Sequence, residues 1–235
     1  TTATVDGRKL FAVCLDKVTG KIVYDLHLFD VVKPMRITKD NTYATPTPVI
    51  DESSVILHFG TYGTACLDTE TGDVLWKRRD LNCDHEVGAG PASSPTLVGD
   101  KVIVHVDGRD VQYIIALDKT TGKTVWKTLR SLDYSKFPVH HRKAYCMPVL
   151  VPRGQGKQLV SPAGRGLYAY DPKTGKELWY VRHRGWSVAP RPVSGHGLVF
   201  ATVDRDRPEL WAIRLNGKGD VTDTHIEWKS IRSMP

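Results

Sequence analysis

An all-β architecture, a β-propeller of four-stranded antiparallel blades, is what this sequence predicts, on three observations. The chain repeats itself at about 50 residues; one turn string returns in a fixed register; and short β-branched or aromatic runs are broken by Gly and Asp. Cys14-Leu15-Asp16-Lys17-Val18-Thr19-Gly20 through Tyr24 matches Cys66-Leu67-Asp68-Thr69-Glu70-Thr71-Gly72 through Trp76. The string returns as Ala116-Leu117-Asp118 through Gly122 to Trp126, and as Ala169-Tyr170-Asp171 through Gly175 to Trp179. The Asp, the Gly and the closing aromatic all step together by 52, 50 and 53 residues. A degenerate fifth copy, Leu210-Trp211-Ala212-Ile213-Arg214, lacks the Asp, stretches its turn through Gly217 and Gly219, and closes at Trp228.

Within the third copy the elements follow in order. Pro95-Thr96-Leu97-Val98 precedes a Gly99-Asp100 turn, then comes Lys101 to Val106, then Asp107-Gly108, then Val111 to Leu117. The Asp118 turn returns the chain into Thr124-Val125-Trp126-Lys127-Thr128. In such a D-x-x-T-G turn the Asp side chain can accept neighbouring backbone N–H groups, while Gly takes the positive φ of a tight return. Four antiparallel strands per period, stacked radially, bury both faces of each sheet and shelter the edges. A proline opens the first strand of each full unit, at Pro48, Pro95, Pro148 and Pro192. The units fall at about 1–30, 44–80, 91–130, 144–182 and 188–230 of a single segment spanning 1–235. This is four whole blades and a partial one. Both ends fall inside a repeat, so the expectation is a segment of a larger 7- or 8-bladed ring.

Composition narrows the partners. The 235 residues are 40% hydrophobic and 25% charged, which excludes collagen, coiled coil and low complexity. No run approaches the ~18 apolar residues of a membrane span, so no transmembrane segment is expected. Thirty-three Lys and Arg against 26 Asp and Glu leave +7, a bias toward an anionic partner. Nucleic acid is not expected, because the basic residues are dispersed among acids and no aromatic stacking platform stands out.

The string A/C-L/Y-D-x-x-T-G-x-x-x-W, with its proline-led strand and an x-D-G-x segment such as Val106-Asp107-Gly108-Arg109, resembles the pyrroloquinoline-quinone-like (PQQ-like) propeller repeat. The resemblance covers essentially the whole chain and is strongest in the units ending at Trp76, Trp126 and Trp179. It implies that these Trp residues pack between blades, with Tyr24 as a substitute. It also implies one of two groups: quinone-dependent dehydrogenases, or non-catalytic periplasmic scaffolds similar to the outer-membrane assembly lipoprotein. The first group often carries an adjacent Cys–Cys disulfide and a Ca²⁺ beside the quinone. Here no Cys-Cys pair and no compact acidic cluster occurs, so neither PQQ nor Ca²⁺ is expected as a cofactor.

Cys14 and Cys66 stand where later units have Ala116 and Ala169, which makes them small core residues. Cys83, in Asn82-Cys83-Asp84-His85-Glu86, reads as solvated loop, with Cys83, His85 and Glu86 the one conceivable metal set; no metal is expected. A disulfide through Cys83 or Cys146 stays open on spacing.

Superposing the units aligns one loop. Between second and third strands lie Arg8, Arg109, Arg165 and Arg205, with Tyr62 at the equivalent place in the second unit. Connectors between units should emerge on the same face, carrying His85, His140, His141, Arg182, His183, Arg184 and Trp186. Arg offers a planar fork for carboxylate, sulfate or phosphate. Arg8, Arg109, Arg165, Arg205, Arg182 and Arg184 are thus the candidate anion-binding residues. The competing expectation is that Asp6, Asp107, Asp110, Asp204 and Asp206 tie these arginines into their own loops. The leading expectation is a non-catalytic periplasmic or secreted scaffold or ligand-binding module. Its partners would be a protein, an acidic glycan or small anion, and the remaining blades of its parent chain. The alternative is an enzyme, either a quinone dehydrogenase or a polyanion lyase, with His85, His140, His141 or Tyr62 moving protons.

Overall fold

A computed structural model describes residues 1–39, 41–85 and 89–231. The described chain is five consecutive antiparallel sheets, here blades I to V. Blade I has three strands, Thr2–Ala3, Lys9–Leu15 and Ile22–Asp30. Blade II has four: Val49–Ile50, Ser54–His58, Thr64–Asp68 and Val74–Arg78. Blade III repeats this with Thr96–Val98, Lys101–Asp107, Gln112–Asp118 and Thr124–Leu129. Blade IV uses Val149–Arg153, Gly156–Ala163, Gly166–Tyr170 and Glu177–Arg182, and blade V uses Val193–Gly195, Leu198–Val203, Glu209–Arg214 and Ile226–Ile231. Within each blade, strands neighbour in chain order. Each of the four marker prolines stands immediately before a first strand, a place where its missing N–H removes no ladder bond.

The D-x-x-T-G turns explain their own register. Asp118 accepts Thr121 N–H at 2.8 Å, and Asp171 accepts Lys173 and Thr174 N–H at 2.8 and 2.9 Å. Gly122 and Gly175 take φ of 69° and 72°. These glycines serve a second purpose. A Cβ on Gly122 would lie 2.6 Å from the Trp76 indole, and one on Gly175 would strike Trp126. Each Trp therefore seats on the turn glycine of the next blade, and its indole N–H reaches that turn: Trp76 Nε1 donates to the Lys119 carbonyl at 2.7 Å, Trp126 Nε1 to Pro172 at 3.2 Å. The Tyr24 ring packs in the same way on Gly72.

The fifth copy departs from the rule in an instructive way. Its stretched turn leaves blade V, and Gly219–Asp220 pairs in parallel with Trp179 and Tyr180 on the outer edge of blade IV. Trp179 then packs on Gly217 and donates to Gln158 Oε1 at 2.9 Å. Two positions stand apart. Trp228 is 43% exposed against 8%, 8% and 0% for Trp76, Trp126 and Trp179, and the Gly20 turn has nothing within 4 Å of its Cβ position.

The core consists of four apolar layers, one at each junction between consecutive blades. This follows from strands apolar on both faces, which must be covered on both sides. All four cysteines are free thiols; Cys66, Cys83 and Cys146 are buried and Cys14 is partly so. Among the described residues no helix is long and apolar enough to cross a membrane.

Candidate functional site: the loop face and its cleft

Loops between second and third strands interlock with the connectors between blades, backbone against backbone. Arg109 N–H donates to Asp84 O at 2.8 Å; Arg165 N–H donates to Gly185 O at 3.0 Å; His183 N–H returns to Arg165 O at 3.1 Å. Gly108, Gly164 and Gly185 permit this, since a Cβ on any of them would collide with the backbone of Asp84, His141 or Asp204. One face of the molecule is thus a continuous rim of loops.

On this rim, between blades IV and V, opens a cleft of about 650 Å³. Arg165, Arg182, Arg184, Arg207 and Lys229 supply its positive charge, and Asp204 and Glu209 its negative charge. Phe137, Val203 and Trp211 form apolar wall, and His183 is buried at its edge. Arg165 holds a left-handed backbone, φ 67°, as does Asp204 at 72°. The Arg165 guanidinium lies over Phe137 at 5.1 Å and donates from Nη1 to Arg184 O at 2.6 Å, while its buried Nε has no partner. Burial and the neighbouring Arg184 lower its pKa, with Asp204 opposing. Burial also pushes His183 down to about 4, so it is neutral near pH 7.

Beside the cleft, Trp186 gathers three predicted residues. The His141 ring stacks on it at 5.4 Å, His140 meets it edge-on at 5.0 Å, and Arg205 lies over it at 5.6 Å. Its indole N–H donates to Asp206 at 2.9 Å. Burial and the Arg165 charge lower the His141 pKa.

The other predicted arginines do not join this group. Arg8 stays exposed, 3.8 Å from Asp6. Arg109 pairs with Asp84 of the neighbouring connector at 3.1 Å, not with Asp107. Arg182 lines the cleft but pairs with Asp220 at 3.0 Å. Tyr62 is buried against Tyr43, its hydroxyl accepting Met35 N–H at 3.0 Å.

A correction concerns Cys83 and His85, read above as solvated loop. Both are buried at the junction of blades II and III, because the connector folds under the Gly60 turn: His85 Nε2 accepts Thr61 N–H at 3.0 Å, and Cys83 Sγ lies 3.8 Å from its Nδ1. Burial lowers His85 to about 3 and raises the Cys83 thiol to about 12. Glu86, the third residue of that set, lies outside the described residues. Among the described residues no cluster of three metal-ligating side chains occurs.

Asp107 also differs from expectation. It is fully buried and grips Arg130 with both oxygens, at 2.5 to 3.0 Å. Arg130 crosses to blade IV, donating to Ser161 at 2.9 Å, and Ser161 meets His105 Nε2 at 2.7 Å. Sequence reading missed Arg130, Ser161, Arg207 and Lys229. Arg130 stands four residues past Trp126, where blade II has Asp80 and blade IV His183, so superposition conceals it. Lys229 did leave a signal: Trp-Lys recurs at 76–77, 126–127 and 228–229. Each lysine lies over an aromatic ring, at 5.4 Å for Lys77 on Phe29, 3.8 Å for Lys127 on Tyr113 and 4.0 Å for Lys229 on Trp211.

The repeat, the glycine-seated tryptophans and the radial sheets define a PQQ-like propeller segment. The chain belongs to the family described as outer membrane protein assembly factor BamB, which matches residues 2–128 and again 110–230. Among solved structures it is similar to BamB from Moraxella catarrhalis, with TM-score 0.62 and 17% identity over 96% of this chain and 59% of that one. Quinohemoprotein alcohol dehydrogenase from Comamonas testosteroni is similar in fold, with TM-score 0.58 and 12% identity over 97% of this chain and 42% of that one. Among curated proteins, methanol dehydrogenase [cytochrome c] subunit 1 of Methylorubrum extorquens is 31% identical over 47% of this chain and 19% of its own length. Quinoprotein ethanol dehydrogenase of Pseudomonas aeruginosa is 34% identical over 48% of this chain and 19% of its own length. The matched region thus spans about a fifth of these relatives.

Proposed function

We propose that this chain is a non-catalytic binding and scaffold module that works outside the cytoplasm and engages its partner through the loop face. The observation that carries the reading is the cleft between blades IV and V, where Arg165, Arg182, Arg184, Arg207 and Lys229 outnumber Asp204 and Glu209. Such an excess of positive charge on a rigid rim draws and orients an anionic partner. Further PQQ-like blades are a second partner in this reading, supported by the exposed Trp228 and the open Gly20 turn.

The reading includes no quinone and no Ca²⁺. Calcium needs several oxygen ligands free to turn toward it, and the buried carboxylate of the loop face, Asp107, has both oxygens on Arg130. Nor does the rim favour a lyase. His85 and Tyr62 are sealed from the cleft, and His140 and His141 are held against Trp186.

Heparin-column retention tests the anion-binding face. Arg165→Ala with Arg184→Ala should elute at clearly lower salt than the unmodified chain, whereas Arg8→Ala with Arg109→Ala should elute nearly unchanged. Equal loss from both pairs would replace the cleft with diffuse surface charge. An unsaturated product from uronic-acid polysaccharides would replace the scaffold with an enzyme.

A further inference from the structure

Within this binding-module reading, on which the inference rests, we propose that the blade IV/V cleft accepts one side-chain carboxylate flanked by apolar residues. Its occupant is an acidic peptide segment of a protein partner, anchored by Arg165.

Three observations lead there. Arg165 sits between Gly164 and Gly166 in a left-handed conformation that glycine would adopt without strain. Strain of this kind persists where a side chain is needed at that spot. Its guanidinium is held in place, stacked on Phe137 and tied by Nη1 to Arg184 O, yet Nε is unpaired. A placed fork with unused donors is suited to a carboxylate. His183, 8% exposed, closes the cleft edge beside it. An unpartnered arginine nitrogen in the wall marks a site short of a ligand group.

The lining selects among anions. Phe137, Val203 and Trp211 offer apolar wall, while Asp204 and Glu209 limit the cleft interior to a single negative charge, so a polyanion such as heparin is held by the net positive charge of the rim and is not seated within. The neighbouring aromatic, Trp186, is already stacked by His141 and contacted by Arg205, which takes away the platform a sugar ring would use. A lone carboxylate among apolar side chains satisfies the arginine and avoids both acids.

The test uses the whole chain, immobilised, with two pools of blocked pentapeptides built from Leu, Phe and Val around a central Asp or a central Asn. The Asp pool should be retained at least tenfold more strongly than the Asn pool. Arg165→Gly, which relaxes the backbone, should keep the unfolding temperature and lose at least tenfold in Asp-pool retention. Arg165→Lys, which keeps the charge and loses the fork, should fall between. Equal retention of the two pools, no retention of either, or full retention by Arg165→Gly overturns the inference. Oligogalacturonate held more tightly than the Asp pool overturns it in favour of a glycan and leaves the binding-module reading standing. Failure of the heparin comparison together with both peptide pools removes the two together.

Discussion

At the scale of the residue, the Asp107–Arg130 pair illustrates what spacing in a sequence conceals. Asp107 belongs to a recurring x-D-G-x segment, and its neighbour Arg109 is the obvious partner by proximity. The fold turns Asp107, the last residue of its strand, inward, whereas Arg109 lies beyond the strand end in the Gly108 loop, where its backbone and side chain are both drawn to Asp84 of the neighbouring connector. Arg130 arrives from 23 residues away to meet it, with both side chains fully buried. Burial raises the Asp107 pKa and the Arg130 charge opposes that rise. Removing one member strands the other in an apolar interior, so Asp107→Asn should cost ~3–5 kcal/mol. Urea unfolding measures this. Replacing both residues with apolar side chains should be milder than replacing one, and a harsher double variant would contradict the account.

At the scale of the element, the turn string was legible because one glycine answers two demands. Its positive φ shapes the turn, and its missing side chain seats the preceding blade's tryptophan. Gly20 meets only the first demand and Gly175 meets both, which separates them by experiment. Gly20→Ala should cost ~1–2 kcal/mol, the left-handed penalty alone. Gly175→Ala should add ~1–3 kcal/mol of overpacking against Trp126. Thermal or urea denaturation of the two variants checks the difference, and equal losses would remove the seating role. The strands of blade III were read to within a residue at either end, since β-branched runs and Gly-Asp punctuation mark their bounds. The stretched fifth turn was visible as an anomaly, but its pairing with the edge of blade IV was not. A parallel two-residue ladder between distant segments leaves no periodic trace.

At the scale of the whole molecule, the repeat made the architecture legible and left the chemistry of the rim mostly hidden. Superposed loops placed Arg8, Arg109, Arg165 and Arg205 on one face and the connectors added Arg182 and Arg184, yet repeat equivalence cannot say which arginine meets an acid from another blade. Burial sorted the histidines in the same way. His58, His85, His105 and His183, drawn from blades II and III and from the connectors leaving blades II and IV, all have pKa values lowered by desolvation, to about 4 for His58 and His183 and about 3 for His85. A histidine kept neutral in the fold contributes stability that is fully present above its unfolded value of ~6.5. That contribution is lost as pH falls, because the unfolded chain takes up protons the folded one refuses. The unfolding temperature should therefore hold above pH 7 and drop steeply between pH 6.5 and 4. A flat profile across that window would contradict the burial of these rings.

The tryptophan seats carry a consequence for how such a chain changes length. At each of the four junctions one blade offers an aromatic, Tyr24, Trp76, Trp126 or Trp179, and the next offers a turn glycine, so every junction is an aromatic seated on a glycine. A duplication or loss that begins and ends at the same point of the period restores both halves of each junction, whichever blade is copied. A cut at any other phase leaves an indole facing water and a bare turn. Lengthening is therefore quantised, in steps near 50 residues, and the number of blades becomes a heritable count of like joints.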